Sequence, residues 1–215
     1  MDPTLYVILD RVAARGRDLD EILAATLEGG CRMVQLREKE WPSGRLLPLA
    51  ERLGGRCRRA GVTFIVNDRV DLAVAVGADG VHLGQDDLPP RAARPLLRPG
   101  MILGRSTHTL VQATRARDEA VDYVAVGSMF ETATKPDFEL AGPDLLRQIR
   151  SLTPQPLVGI GGITHANVGD VIRAGADGVA VISAVCGAPD PAAATRRLLA
   201  AIREARDLTA RTRRL

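Results

Sequence analysis

The sequence predicts a single (β/α)8 TIM barrel, and three observations carry that prediction. Eight short apolar runs recur along the 215-residue chain. Helix-spaced segments alternate with these runs, and no long linker interrupts the alternation. Runs this apolar suit a parallel sheet covered on its outer face, where the alternating pattern of a half-exposed sheet does not appear. Barrels of this type commonly reach about 200–250 residues as one unit, so residues 1–215 are expected to form one domain.

In chain order the strand segments are LYVIL from Leu5, CRMVQL from Cys31, TFIVN from Thr63, GVHL from Gly80, MILG from Met101, YVAVG from Tyr123, PLVGI from Pro156 and GVAVI from Gly178. Between them, Leu19, Ile22, Leu23 and Leu27 form one helical apolar stripe, and Val168, Val171 and Ile172 form another. The run Gly77-Ala78-Asp79-Gly80-Val81 returns as Gly175-Ala176-Asp177-Gly178-Val179. In both copies the first glycine is expected to end a helix in the left-handed conformation before the next strand. Residues 208–215, with Arg211, Arg213 and Arg214, are expected to form a frayed basic tail.

A net charge of +3 fits a small anionic substrate. Aromatics make up 3% of the chain and the arginines are scattered, so a stacking platform for nucleic acid is missing. No apolar stretch is long enough for a membrane span, and the N-terminus MDPTLYVILD lacks a signal-peptide pattern, so a cytoplasmic protein is expected. Cys31, Cys57 and Cys186 have no metal or redox spacing and read as free, mostly buried thiols. A homo-oligomer is left open.

In a barrel the chemistry lies at the C-terminal ends of the strands. Of the 29 basic residues, 27 are Arg, and the two that are Lys, Lys39 and Lys135, both fall at such ends. Compact ammonium charges there suit phosphate oxygens. Gln35, Arg37 and Lys39 are spaced by two, so an extended backbone projects them to one side. Arg37 either grips phosphate or pairs with Glu38 or Glu40. Asp68 and Asp87 follow neighbouring strands, a pattern that serves Mg2+, with Asn67 beside them to orient substrate and Asp86 as the competitor of Asp87. The other reading of Asp68 is a helix cap before Val70.

Gly161-Gly162, with Val181-Ile182-Ser183, match the phosphate site that barrels build from their seventh and eighth loops; the other reading is a tight turn with Thr164 as helix cap. His82 reads as a packed strand residue and His165 as a first-turn helix residue. His108, near Ser106, stands at the functional end of its strand. No metal spacing links the three histidines, and no nucleophile elbow is evident.

The segments Val34-Gln35-Leu36-Arg37-Glu38-Lys39, Asn67-Asp68-Arg69-Val70-Asp71, Val81-His82-Leu83-Gly84-Gln85 with Asp87, Ser106-Thr107-His108, Thr132-Ala133-Thr134-Lys135 and Ile160-Gly161-Gly162-Ile163 together resemble the thiamine phosphate synthase family. The resemblance runs from about the first strand to the last helix. It implies a transferase of thiamine biosynthesis that condenses a hydroxymethylpyrimidine pyrophosphate with a thiazole phosphate, giving thiamine phosphate and pyrophosphate. Carried over by position, Gln35, Arg37, Lys39 and Asn67 bind the pyrimidine pyrophosphate, and Asp68 and Asp87 hold Mg2+. Ser106 and Lys135 complete the pyrophosphate pocket, with Arg37, Lys39, Lys135 and Ser106 as the catalytic set. Thr132, Thr134, Gly162, Ile182 and Ser183 receive the thiazole phosphate.

Two departures stand out. The loop Gly127-Ser128-Met129-Phe130-Glu131 lacks the prolines usual in synthases, and Arg105 before Ser106 is less typical. Both resemble the sister branch of thiazole tautomerases, which use a His at the position of His108 for proton transfer and generally lack the full metal and pyrophosphate set. Here Asp68, Asp87, Arg37, Lys39 and the Thr132–Lys135 segment favour the synthase. Against a third reading, a non-catalytic regulatory barrel, stand the scattered charge and the complete site.

Overall fold

The computed structural model describes residues 1–132 and 140–212. The eight apolar runs form strands β1 Leu5–Asp10, β2 Met33–Arg37, β3 Thr63–Asn67, β4 Gly80–Leu83, β5 Ile102–Thr107, β6 Tyr123–Val126, β7 Leu157–Ile160 and β8 Gly178–Val181. They pair in parallel in sequence order, and β1 closes on β8 with Leu5 opposite Val179. The helices are α1 Arg11–Ala14, α2 Leu19–Glu28, α3 Ser43–Ala60, α4 Val70–Ala75, α5 Pro90–Ala93, α6 Leu110–Asp118, α7 Gly142–Arg150, α8 Val168–Arg173, α9 Ser183–Cys186 and α10 Pro191–Thr212. The chain therefore has the expected (β/α)8 architecture.

Alternate residues of each strand serve two cores. Tyr6, Ile8, Met33, Ile65, Tyr123, Val158 and Ala180 fill the barrel interior. Residues of opposite parity, such as Val7, Val34, Phe64, Leu103 and Val179, pack outward with Leu23, Leu53 and Val171 of the surrounding helices. Both faces are buried, which is why the strands read as continuous apolar runs. Gly104 is among the interior positions that cannot carry a side chain. A Cβ on Gly104 would stand 2.1 Å from Cζ of Tyr123, whose ring occupies that space.

The repeated Gly-Ala-Asp-Gly-Val segment has a structural explanation. Gly77 and Gly175 adopt φ of 63° and 105° after α4 and α8, the helix-ending role expected of them. The aspartate two residues later reaches across to the preceding strand: Asp79 Oδ2 accepts from Phe64 N–H at 2.7 Å, and Asp177 Oδ2 from Leu157 N–H at 2.8 Å. Asp122, before β6, does the same for Leu103 N–H at 2.7 Å. These contacts lie at the strand N-termini, away from the chemistry, and each satisfies an otherwise unpaired strand donor. Asp79→Ala is expected to cost about 1–2 kcal/mol and to leave turnover unchanged below the melting range, as checked by denaturant titration beside a rate assay.

Several sequence expectations shift at element edges. Cys31 precedes β2, and β5 runs on through Ser106 and Thr107. Residues 208–212, expected as frayed tail, are the last turn and a half of α10, whereas Arg213 and Arg214 lie outside the described residues. All three cysteines are buried free thiols, as expected.

Candidate active site

The C-terminal mouth of the barrel is polar on the β1–β5 side because the inward parity of those strands changes from apolar to polar toward their ends, whereas β7 and β8 keep Ile160 and Ala180 there. Asp10, Arg37, Asn67, His82 and Ser106 share the inward-facing parity of Tyr6, Met33, Ile65 and Ile102 on their strands.

Asp10 is buried at 3% exposure, accepts from Ala13 N–H at 2.9 Å as the cap of α1, and binds the Arg37 guanidinium with its other oxygen. Arg37 therefore pairs with neither Glu38 nor Glu40. Arg11 takes both of those, donating to Glu38 Oε2 at 2.6 Å and pairing with Glu40, while its guanidinium lies 5.5 Å from the Trp41 ring. The loop on either side of Lys39 is thus fastened from α1, leaving the Lys39 ammonium directed at Asp68 Oδ2, 3.2 Å away. Asp10, Arg11, Arg15, Arg37, Lys39 and Ser183 line a cavity of about 590 Å³.

Asp68 sits at φ 62°, a left-handed conformation that Asp tolerates better than most residues, and its N–H donates to His82 O at 2.8 Å. It does not cap α4. The residue at that cap is Arg69, and no side chain bonds there. The turn instead brings the Asp68 carboxyl into hydrogen-bonding contact with Asp87. Asp87 is held in turn by Gly84 N–H, which donates to Oδ2 at 2.6 Å. Burial, then the hydrogen bond and negative charge of Asp87, push the Asp68 pKa from 3.8 to about 6, with Lys39 opposing.

Two carboxylates pressed together with a lysine as neighbour form a site short of positive charge. No group of three or more His, Cys, Asp or Glu residues is placed to hold a metal among the described residues. A pair of carboxylates is nevertheless the protein share that Mg2+ ordinarily takes, the remainder coming from water and phosphate oxygens, so these residues fit that ion. A pH dependence follows. Because the folded pKa is raised, the folded chain holds this proton more tightly than the unfolded chain between about pH 4 and 6. The metal-free protein is expected to gain stability from this group as pH falls from 7 through 6, and to lose it again as pH rises. Melting curves at pH 7.0 and 5.5 should show that gain, and Asp68→Asn should abolish it.

The other half of the mouth is a cavity of about 330 Å³ bounded by Ser106, His108, Thr132, Gly161, Gly162, Ile182 and Ser183 among others. Gly161 and Gly162 adopt φ of 100° and 63°. The loop after β6 is stitched to the one after β7, Met129 N–H donating to Ile160 O at 2.9 Å and Phe130 N–H to Gly161 O at 3.0 Å. Thr164 is not the cap of α8, which begins four residues later with Asn167 at its cap. Its N–H donates to Asn167 Oδ1 at 2.7 Å, and Asn167 Nδ2 donates to Gly162 O at 3.0 Å, so this turn braces the glycine pair. His165 belongs to that turn, not to the helix. Ile182 and Ser183 open the short helix α9 at the opposite wall.

The structure thus gathers Arg37, Lys39, Asn67, Asp68 and Asp87 at β2–β4 and Ser106, Thr132, Gly162, Ile182 and Ser183 at β5–β8, with Ser183 common to both cavities. Gln35 lies one inward position deeper, 1% exposed, with its amide on the Tyr6 hydroxyl. Thr134 and Lys135 lie outside the described residues. His108 also borders the second cavity, and its Nδ1 lies 2.6 Å from Gly127 O, a geometry that places a proton on Nδ1. Arg105 points outward and donates to Gly84 O at 2.6 Å, bracing the loop that carries Asp87. Sequence reasoning missed Asp10, Arg11 and the two buried tyrosines. The available signal was parity, since Tyr6 and Ile8 alternate within a run read as apolar and Asp10 continues their parity one residue past its end.

A closed parallel barrel whose mouth joins a carboxylate pair, a basic basin and a glycine-lined pocket defines an enzyme that handles phosphorylated small molecules. The family model described as thiamine monophosphate synthase matches residues 5–185. A thiamine-phosphate synthase of Roseiflexus sp. (strain RS-1) is 51% identical over 211 residues, covering 96% of this chain and 88% of its own. One from Moorella thermoacetica is 49% identical over 203 residues, covering 94% and 97%. Among solved structures, a thiamine phosphate pyrophosphorylase from Pyrococcus furiosus superposes with a TM-score of 0.88 at 38% identity, covering 95% of this chain and 97% of its own. The chain belongs to the thiamine monophosphate synthase family, and with it to the transferases of thiamine biosynthesis.

Proposed function

We propose that this chain condenses 4-amino-2-methyl-5-(diphosphooxymethyl)pyrimidine with thiazole phosphate, in an Mg2+-dependent reaction, to give thiamine phosphate and pyrophosphate. The observation that carries the proposal is the convergence of Asp68, Asp87 and Lys39 beside Arg37, on a mouth whose other half is the pocket of Gly162, Ile182 and Ser183. Two differently built pockets meeting at one rim suit two different phosphorylated substrates.

Asp68 and Asp87 would hold Mg2+, which when bound neutralises charge on the pyrophosphate oxygens. Gln35 and Asn67 orient the pyrimidine, and Arg37, Lys39 and Ser106 take the pyrophosphate, joined by Lys135. The bond between the pyrimidine methylene and the pyrophosphate oxygen breaks with its electron pair leaving on oxygen. The three basic side chains, Arg37, Lys39 and Lys135, stabilise that negative charge as it grows. The thiazole nitrogen lone pair then closes on the pyrimidine methyl cation, so no protein nucleophile is needed. Thr132, Thr134, Gly162, Ile182 and Ser183 hold the thiazole phosphate in line, and fixed electrostatics and positioning provide the rate acceleration. Among the described residues no helix is long and apolar enough to cross a membrane, and with water-soluble substrates on both sides of the reaction we assign the protein to the cytoplasm.

The test is to mix both substrates with the pure protein, with and without Mg2+, and to follow pyrophosphate release. Release that requires the metal is expected. Isomerisation of the thiazole phosphate alone, without metal, would instead assign the tautomerase activity and give His108 the proton-transfer role.

A further inference from the structure

Across the barrel interior runs a continuous chain of polar side chains. Gln35 Nε2 donates to the Tyr6 hydroxyl at 2.5 Å, which lies 3.1 Å from the Tyr123 hydroxyl. That hydroxyl is 2.9 Å from His82 Nδ1, and His82 Nε2 is 2.8 Å from Ser106 Oγ. Gln35, Tyr6, Tyr123 and His82 are exposed by 1%, 1%, 0% and 7%, and the chain surfaces at Ser106, on the cavity wall. Polar groups this deep in an apolar core persist only when each is satisfied, and a chain of single-proton hydroxyls is satisfied by running in one direction.

The direction follows from proton counting. Tyr6 accepts from the Gln35 amide and passes its own proton to Tyr123. Tyr123 passes its proton to His82 Nδ1, which must then be bare. The imidazole proton therefore lies on Nε2 and is donated to Ser106 Oγ, leaving the serine proton to point into the cavity. Burial raises the pKa of both phenols, so each keeps the proton this chain requires.

We infer that His82, set by Tyr123 and Tyr6, is a positioning residue that fixes the Ser106 hydroxyl as a hydrogen-bond donor toward an anion in the mouth. The inference rests on the reading of Ser106 as a pyrophosphate contact. A serine left to rotate donates or accepts as its surroundings allow, whereas one already receiving a proton from His82 is preorganised to donate to a negative oxygen. The run of β1, β4 and β6 residues thereby acts on the reaction through the Ser106 hydroxyl alone, which His82 contacts from behind.

The test combines nitrogen NMR of the His82 imidazole with a double-mutant cycle. The unmodified protein is expected to show the Nε2–H tautomer. Tyr123→Phe, which removes one oxygen and keeps the ring, is expected to give mixed tautomers and to lower kcat about tenfold, the effect of one lost hydrogen bond. On a Ser106→Ala background the same change is expected to lower kcat no further. An Nδ1–H tautomer in the unmodified protein, or a tenfold loss that persists without the serine, would overturn the inference. Should Ser106→Ala itself leave turnover unchanged, the assignment of Ser106 to the pyrophosphate fails, and the NMR result still judges the chain separately.

Discussion

Replacing Asp68 with Asn is expected to lower kcat by about 10²–10³-fold while making the metal-free protein more stable. The opposite signs have one cause. At neutral pH the Asp68 carboxylate is partly buried against Asp87, and the raised pKa of about 6 records the strain of that arrangement. Asn removes the repulsion but also removes one of the two anionic ligands that would hold Mg2+ against the pyrophosphate. The loss of the Lys39 contact at 3.2 Å offsets little, since the Lys39 side chain is 51% exposed and solvent screens the pair. A gain of about 1 kcal/mol would raise the Tm by roughly 2–4 °C in a domain of this size. Asp86→Asn serves as the comparison, because its carboxylate is assigned no ligand role, and it is expected to change neither quantity. Steady-state rates across a Mg2+ titration, with calorimetric melting of the same proteins, check both halves. Equal loss of activity in the two variants would remove Asp68 from the metal site.

The parts of this molecule that were legible in the sequence are those written by short-range rules. Eight apolar runs with buried faces on both sides had to be parallel strands. Glycines such as Gly77 and Gly175 had to mark left-handed helix ends. Counting lysines drew attention to Lys39 because an arginine-rich chain leaves few ammonium groups to place. What stayed hidden depends on who meets whom across the barrel. Arg37 stands beside two glutamates in sequence, yet it pairs with Asp10, a neighbour only because β1 and β2 align Asp10 with Arg37 in register. Asp68 has the sequence setting of a helix cap, but a left-handed φ turns it away from α4 and toward Asp87. His82 was legible as a packed strand residue. That it bonds Tyr123 on one side and Ser106 on the other required the parity of three separate strands.

Gly162→Ala tests the opposite half of the mouth, and it is expected to raise the KM for thiazole phosphate by tenfold or more while leaving the KM for the pyrimidine pyrophosphate nearly unchanged. Two effects act together at this residue. Its φ of 63° disfavours any residue with a Cβ, at about 1–2 kcal/mol. The added carbon would also stand 2.4 Å from Glu131 O and 2.8 Å from Phe130 Cβ, both on the loop after β6 that is hydrogen-bonded to this one. Backbone cannot rotate out of the way as a flexible side chain can, so the two loops must separate. The pocket between Thr132 and Ser183 then widens, and the backbone N–H groups that would meet the phosphate lose their alignment. The basic basin of Arg37 and Lys39 is anchored separately, through Asp10 at the end of β1 and Arg11 at the start of α1. A tenfold change is about 1.4 kcal/mol, within what the strained backbone alone supplies. Initial rates with each substrate varied at saturating levels of the other separate the two constants. A rise shared equally by both substrates would mean that the mouth is one cooperative site, and the assignment of Gly162 to the thiazole phosphate alone would fall.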